Sequence, residues 1–442
     1  MTSQTVEKPR SKGLPKGVRF SLILLALAGQ LAWGVENQFF NTFLYDRITP
    51  NPQAVSLMVA ITAVVSTVTA ITMGTMSDRT RSKWGKRKPY IFLGYIFWGI
   101  FTALFPAAAL FQPVALGVFI AILFDSLMSF AGATASDAAL NAYVADVTTP
   151  ENRGKVTGSM EIMTWVSYLI VYGGAGFIIK AFDYPAFFYG IGGLVLLIGI
   201  LATPRLKEEP ALDKPQGNYW SQIAETFNIK FLRSHRDLFL VLICLSLFMV
   251  AFNVFFPYII IYLQHYLKLE LLQSSLVLAV TILIGGIALA YPIGVIVDRV
   301  GRRPIAIAAV ITECIGLILF SFAKSIPFVI ITCILWLAGY TTWVVSMRTW
   351  TKDLFPEDKR GQFAGWYIFF NIALSMIPGP LLGGWIANTY GIPTVIDGKP
   401  GMIPTPLIFQ VAAGMVLFTL IPLLLIKKNP KQEIVAPENL PE

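Results

Sequence analysis

Residues 74–89 read GTMSDRTRSKWGKRKP. An apolar run ends at Gly74, and a lone acid, Asp78, stands one turn later. Then Arg79, Arg81, Lys83, Lys86, Arg87 and Lys88 place six cations in ten residues before apolar sequence resumes at Tyr90. Cations packed between two apolar runs mark a tight turn held on the cytoplasmic side of a membrane. The device recurs at residues 294–304, GVIVDRVGRRP, again between apolar runs. A solvated charge run accounts for one copy. Two copies of G-xxx-D-R, each closing on a glycine, a basic cluster and a proline about half a chain apart, point to an internal duplication.

Composition agrees with a membrane setting. The 442 residues are 55% hydrophobic and 13% charged, about half the charge of an average soluble domain. A polytopic membrane protein fits, with the lipid bilayer as its first partner. The net charge of +9 does not indicate nucleic acid, because the cations lie in short loops between apolar spans. Cys244, Cys314 and Cys333 all fall inside apolar runs, without disulfide or zinc spacing, and read as small packing residues. Residues 1–17 are polar and basic with no small-residue cleavage site after the first run, so no removable signal peptide is expected.

Twelve apolar stretches are long enough to span a bilayer at about 20 residues each. They are 18–45, 52–77, 90–111, 113–145, 154–180, 184–203, 237–265, 271–297, 304–323, 326–351, 360–388 and 403–426. With both termini inside, five of the 34 Lys and Arg fall outside (Arg47, Lys180, Lys268, Lys324, Lys399), Arg348 lies within span 10, and the other 28 are inside. That bias predicts cytoplasmic termini and an even number of spans in the cytoplasmic membrane. A second repeat, DVTTPENRGKVTG at 146–158 and DLFPEDKRGQFAG at 353–365, follows the fourth span of each half. The expected organisation is an all-α polytopic protein. A tail (1–17) precedes a six-helix half (18–203), a cytoplasmic linker with an interfacial helix over 219–232 (204–236), a second six-helix half (237–426) and a tail (427–442).

Charge inside a membrane is costly, which makes each intramembrane ionisable residue a functional candidate. They are Glu36, Asp125, Asp137, Glu161, Glu313 and Arg348. In span 1, Gln30, Trp33, Asn37 and Asn41 share one helical face beside Glu36. That face reads as part of a pocket, or as interhelical hydrogen bonding. In span 4, Asp137 and Asn141 share a face; Asp125, twelve residues earlier, is turned about 120° away. In span 5, Glu161, Trp165 and Tyr168 put a carboxylate beside two aromatics, a combination that suits a sugar's hydroxyls and C–H faces. Arg348 occupies the repeat position of Asn141; it either pairs with Asp137 across the interface or snorkels toward the cytoplasmic end. Glu313 reads as structural, and Asn253 and Tyr258 flank Pro257 at a hinge beside the cavity.

The two loop motifs resemble those of the major facilitator superfamily, and the likeness runs over nearly the whole chain. The resemblance implies two parallel halves around a midplane site and alternating access. It also implies a cytoplasmic gate in which Asp78 and Asp298 pair with loop arginines, the candidates being Arg79, Arg153, Arg299 and Arg360. Topology alone also accounts for these cations. Residues 80–91, TRSKWGKRKPYI, resemble the loop T-R-S-x-W-G-K-x-K-P of the glycoside–pentoside–hexuronide carriers. Gly29, Gln30, Trp33 and Glu36 look like the G-Q-x-x-W-x-x-E of sucrose-type carriers, and Asp137 falls where melibiose-type carriers keep a sugar-binding aspartate. Two departures stand out. Glu161 is an acid near a position that is cationic in those relatives, and their span-2 sodium carboxylates correspond here to Ser66 and Ala70.

Hard cations need oxygen ligands and usually carboxylate charge, so sodium coupling is disfavoured. A proton needs one carboxylate, and Glu36, Asp125, Asp137 and Glu161 are candidates. The expected function is alternating-access transport of a sugar or glycoside, coupled to a proton, by a monomer without a cofactor. The alternatives are an uncoupled sugar facilitator, an exporter of amphipathic compounds, and a non-transporting sensor. No nucleophile–base pairing, Walker loop or metal motif speaks for an enzyme or an ATP-driven pump.

Overall fold

The computed structural model describes residues 14–210, 219, 235–354 and 365–426. Eleven helices among the described residues are long and apolar enough to cross a bilayer. The fifth, Asn152–Arg205, has 54 residues, which as one straight rod would measure about 80 Å, twice the thickness of a bilayer. It breaks at Asp183, whose φ of 65° and ψ of 172° are not helical, just ahead of Pro185. The break is held locally: the Asp183 carboxylate accepts the Tyr184 amide at 2.8 Å and pairs with Arg47 at 2.5 Å.

Twelve spans result. They are α1 Lys16–Ile48, α2 Pro52–Asp78, α3 Lys88–Leu110, α4 Val114–Val147, α5 152–182, α6 184–205, α7 Arg236–Tyr266, α8 Leu271–Val300, α9 Arg302–Ser321, α10 Ile326–Thr351, α11 Gly365–Thr389 and α12 Leu407–Leu425. The expected interfacial helix lies outside the described residues apart from Tyr219, whose hydroxyl donates to Thr72 O at 3.0 Å. Most of both tails and the 355–364 part of the second repeat also lie outside them.

Within the first half, α1 lies on α5 and α3 on α6. Small residues set how closely the helices approach: a Cβ added to Gly99 would meet Gly192 O at 2.5 Å, and one on Gly192 would meet Gly99 O at the same distance. Such mutual close approach is how helices associate where water gives no hydrophobic drive. In the second half α9 packs along α10 and α12. Two helix pairs join the halves, α2 with α11 and α5 with α8.

The loop from α11 to α12 forms an antiparallel hairpin, β1 Ile392–Ile396 and β2 Lys399–Ile403, which the apolar pattern does not foresee. Its two-residue turn is Asp397-Gly398, with positive φ at both residues (49° and 74°), the Asp-Gly turn that matches strand twist. The hairpin closes one end of the molecule. Met402 N donates to Pro50 O at 3.0 Å, and Tyr45 Oη donates to Met402 O at 2.7 Å. Around it, Gln38 Nε2 on α1 donates to Phe256 O on α7 at 2.7 Å. Tyr258 Oη on α7 is shared between Pro52 O at 3.1 Å and Pro380 O at 3.2 Å. The Asp46 carboxylate takes His265 Nε2 and Tyr184 Oη, each at 2.8 Å. Lys180 and Glu270 pair at 2.9 Å. Most of these contacts cross between the halves; Tyr184 braces Asp46 within the first half, and Tyr258 reaches Pro380 O within the second.

The opposite end carries the basic loops, and there the charges pair within each half. Arg87 joins Asp78 and, at 3.4 Å, Asp146. Arg302 joins Asp298 at 2.9 Å and Asp353 at 3.3 Å. Each arginine thus stands at the head of one span and bridges the acids that end two others. The expected gate arginines are placed differently. Arg153 donates to Thr148 Oγ1 and to the carbonyls of Ala145 and Thr148, Arg299 is exposed, and Arg360 lies outside the described residues. Glu208 caps the start of α3 by accepting the amides of Lys86, Arg87 and Lys88 at 2.9–3.1 Å.

The Arg87 side chain is 5% exposed and serves two acids. Arg87→Ala is expected to lower stability by about 1–3 kcal/mol, reduced from the fully buried case because both acids keep water contact. Lys83→Ala, at an exposed position, is expected to cost almost nothing. Thermal unfolding in detergent compares the two.

Candidate functional site

A cavity of about 200 Å³ lies between the halves. It is smaller than the roughly 300–1,000 Å³ that drug-sized ligands occupy, and so suits a single ring. Both halves wall it. Asn37 comes from α1, and Trp165, Tyr168 and Tyr172 come from α5; Phe252, Asn253 and Phe256 come from α7, Trp336 and Tyr340 from α10, and Asn371 from α11. Met249, Leu278, Ile282, Leu337 and Met376 supply the rest of an apolar lining.

The amides are oriented by their own helices. Asn37 Nδ2 donates to Trp33 O and Asn253 Nδ2 to Met249 O, both at 2.8 Å. That leaves each carboxamide its oxygen and one further N–H to offer the cavity. Hydroxyl donors of a ligand would find one acceptor on each side, between aromatic faces. Trp165 and Tyr168 meet edge to face at 6.4 Å, which fixes both rings.

One turn from Trp165 along α5, toward the basic-loop end, Glu161 Oε2 meets Arg348 Nη1 on α10 at 2.7 Å. Their side chains remain 49% and 46% exposed, so water reaches them. The alternatives left by the sequence resolve on this contact. Arg348 pairs across the interface, but with Glu161 and not with Asp137. The repeat relates positions along the chain; it does not fix which neighbour a long side chain turns toward, and α5 is the helix facing α10 at this depth. Tyr367 on α11 stands in the field of both charges.

Of the expected site residues, Asn37, Trp165 and Tyr168 line the cavity, and Glu161 pairs with Arg348 one helical turn beyond Trp165. The others lie elsewhere. Trp33 turns into the first half, edge-on to Trp98 at 5.0 Å. Gln30 is half-buried away from the lining residues, and Asn141 is exposed, with Nδ2 3.3 Å from Asp137 O. Asp137 sits near Glu36 and Tyr95 within the first half. Asn41 is buried and bonded to Asn37 O at 2.9 Å. Asp125 is 1% exposed, and Glu313 is equally buried where α9 packs on Gly339 of α10.

The aromatic wall from the second half was not singled out in the sequence. Trp336 and Tyr340 have the i, i+4 spacing that ordinary packing also uses, so nothing in the pattern separated them. Asn371 was legible in principle as an amide in the middle of span 11.

The family model described as Major Facilitator Superfamily matches residues 20–371 and again 281–441. No curated protein matches the sequence. Among solved structures, a point mutant of the nucleoside transporter NupG is similar with a TM-score of 0.70 at 12% identity, over 93% of this chain and 100% of that one. A bacterial homolog of the human lysosomal transporter Spinster, inward-facing and unoccupied, is similar with a TM-score of 0.66 at 12% identity, over 93% of this chain and 96% of that one. At such identity the likeness concerns the fold.

A half-exposed ion pair is worth about 0–1 kcal/mol to stability. Glu161→Ala and Arg348→Ala are therefore expected to leave unfolding nearly unchanged. Gln38→Ala, which removes the bond to Phe256 O across the seal while Ile259 N still donates to that carbonyl, is expected to cost about 0.5–1.5 kcal/mol. Equal losses at all three positions would make the ion pair a structural strut instead of a cavity feature.

Proposed function

The chain belongs to the Major Facilitator Superfamily, and we propose that it carries a sugar or glycoside across the cytoplasmic membrane by alternating access, with a proton as the coupling ion. Membership and fold indicate a secondary transporter rather than an enzyme. The observation that carries the substrate class is the arrangement of Asn37 and Asn253. On opposite halves, each ties its NH₂ to its own helix and keeps a carbonyl acceptor for the cavity, between Trp165, Tyr168, Trp336 and Tyr340. Sugar hydroxyls need acceptors, and the C–H faces of a sugar ring stack on aromatic rings.

On this reading the basic-loop end is cytoplasmic, as the distribution of Lys and Arg favours, and the hairpin end faces outward. The conformation described is then inward-facing, with the outer seal shut. Substrate leaving past Glu161 and Arg348 frees the two halves to rock about the cavity. Ser66 and Ala70 leave α2 without an acid before Asp78, which supports a proton over sodium.

The apolar part of the lining, Met249, Phe252, Phe256, Leu278 and Met376, favours a second reading, export of an amphipathic compound. A nucleoside also combines a sugar ring with a stacking face, and NupG is named as a nucleoside transporter.

The test is uptake into proteoliposomes of labelled mono- and disaccharides, glycosides and nucleosides, with an inward proton gradient imposed and sodium varied separately. The expected result is proton-driven accumulation of a sugar or glycoside, independent of sodium and at least tenfold weaker in Trp165→Ala, about 1.4 kcal/mol of lost binding. Absence of flux for every sugar and glycoside sinks the substrate class. Accumulation driven by sodium sinks the coupling ion.

A further inference from the structure

We propose that Glu36 and Asp125 together form one proton-binding site in the first half, beside the substrate cavity but separate from it. The inference rests on the reading of the chain as a proton-coupled carrier and names where that proton is held.

Glu36 lies on α1 and Asp125 on α4, and their carboxyl groups are in hydrogen-bonding contact. Ser129 Oγ, one turn after Asp125, donates to Glu36 Oε1 at 2.6 Å. The protein donates nothing to the remaining acceptors: Glu36 Oε2 and Asp125 Oδ1 are buried without a partner. Two carboxylates in contact away from water cannot both stay charged. A single proton resolves this, since it turns one carboxyl into a donor for the other and removes one charge.

The surroundings offer no other compensation. The ionisable group that acts on the pair from its own helix is a third acid, Asp137. From α3, the Tyr95 hydroxyl is already spent on Leu25 O at 2.7 Å. From α5, Tyr168 packs against Gly34, two residues before Glu36, and no Lys or Arg acts on either carboxyl among the described residues.

Three consecutive residues then connect the proton to transport. Glu36 opens a wide π-type turn, Glu36–Phe40, a local expansion that recurs at functional sites. The next residue, Asn37, lines the cavity, and the one after it, Gln38, bonds Phe256 O in the hairpin-end seal. The proton site, a cavity contact and a latch of the seal thus share one turn of one helix. Losing the proton places a second charge against Asp125 and pushes Glu36 away from α4. That displacement bears directly on Asn37 and Gln38.

The experiment uses the full chain with Glu36→Gln, Asp125→Asn and the carboxyl-keeping Glu36→Asp, reconstituted in lipid. Infrared difference spectra between acidic and alkaline buffer are recorded without substrate. The wild type is expected to show a carboxylic acid band that Glu36→Gln and Asp125→Asn each abolish and Glu36→Asp only shifts. In transport, Glu36→Gln and Asp125→Asn are expected to lose proton-driven accumulation while keeping substrate exchange. A band untouched by both variants, or accumulation that survives in both, overturns the proposal. If no sugar moves at all, the substrate reading fails, and the substrate-free spectra still decide the proton site. Should one variant not fold, the wild-type spectrum and the Glu36→Asp shift carry the same decision.

Discussion

The hydrocarbon of a bilayer offers no hydrogen-bond partners, and every feature of this chain answers to that constraint. Regular helix satisfies the backbone internally, so the chain is helix almost throughout its spans. Departures are confined to places where something else supplies the missing bonds. The break at Asp183 is closed by its own carboxylate and by Arg47. The widened turn at Glu36–Phe40 is stitched by Asn37, Asn41 and Thr42, which donate to carbonyls one turn earlier. In the irregular Phe256–Tyr258 segment around Pro257, the Phe256 carbonyl accepts both Ile259 N and Gln38 Nε2 of the other half. Backbone irregularity, polar side chains and the interface between halves therefore coincide, and they do so around the cavity.

That coincidence explains the asymmetry of the conformation. At the hairpin end the halves are tied by bonds between backbone carbonyls and buried side chains, together with Asp46 and His265. Toward the basic-loop end Arg87 and Arg302 pair with acids of their own halves, and the ion pair that crosses there, Glu161 with Arg348, is half-exposed. Water-exposed pairing holds the halves together less firmly than the buried bonds of the hairpin end. A two-state carrier requires such a division, with one end latched more firmly than the other.

The sequence made the fold legible because the spans are long and uniformly apolar and the loop motifs recur. It located Asn37, Trp165, Tyr168, Glu161 and Arg348 because polar and charged groups in mid-membrane are rare enough to stand out. Three things escaped it for physical reasons. The Glu161–Arg348 pairing depends on the rotation of α10 against α5, which a repeat in sequence does not encode. Trp336 and Tyr340 look like packing aromatics, and only the placement of α10 makes them a cavity wall. Asp125 and Glu36 lie on different helices, and a spacing of twelve residues from Asp137 says nothing of a partner on α1.

The central claim is that the two halves alternate about the cavity, opening one end as the other closes. Distances between spin labels measure this directly. One label pair is placed at Lys155 and Arg299 on the basic-loop end and another at Lys180 and Glu270 on the hairpin end, with a transported sugar added at saturation. The account predicts that the first distance shortens and the second lengthens together. Two distances that stay fixed, or that change in the same direction, would contradict it.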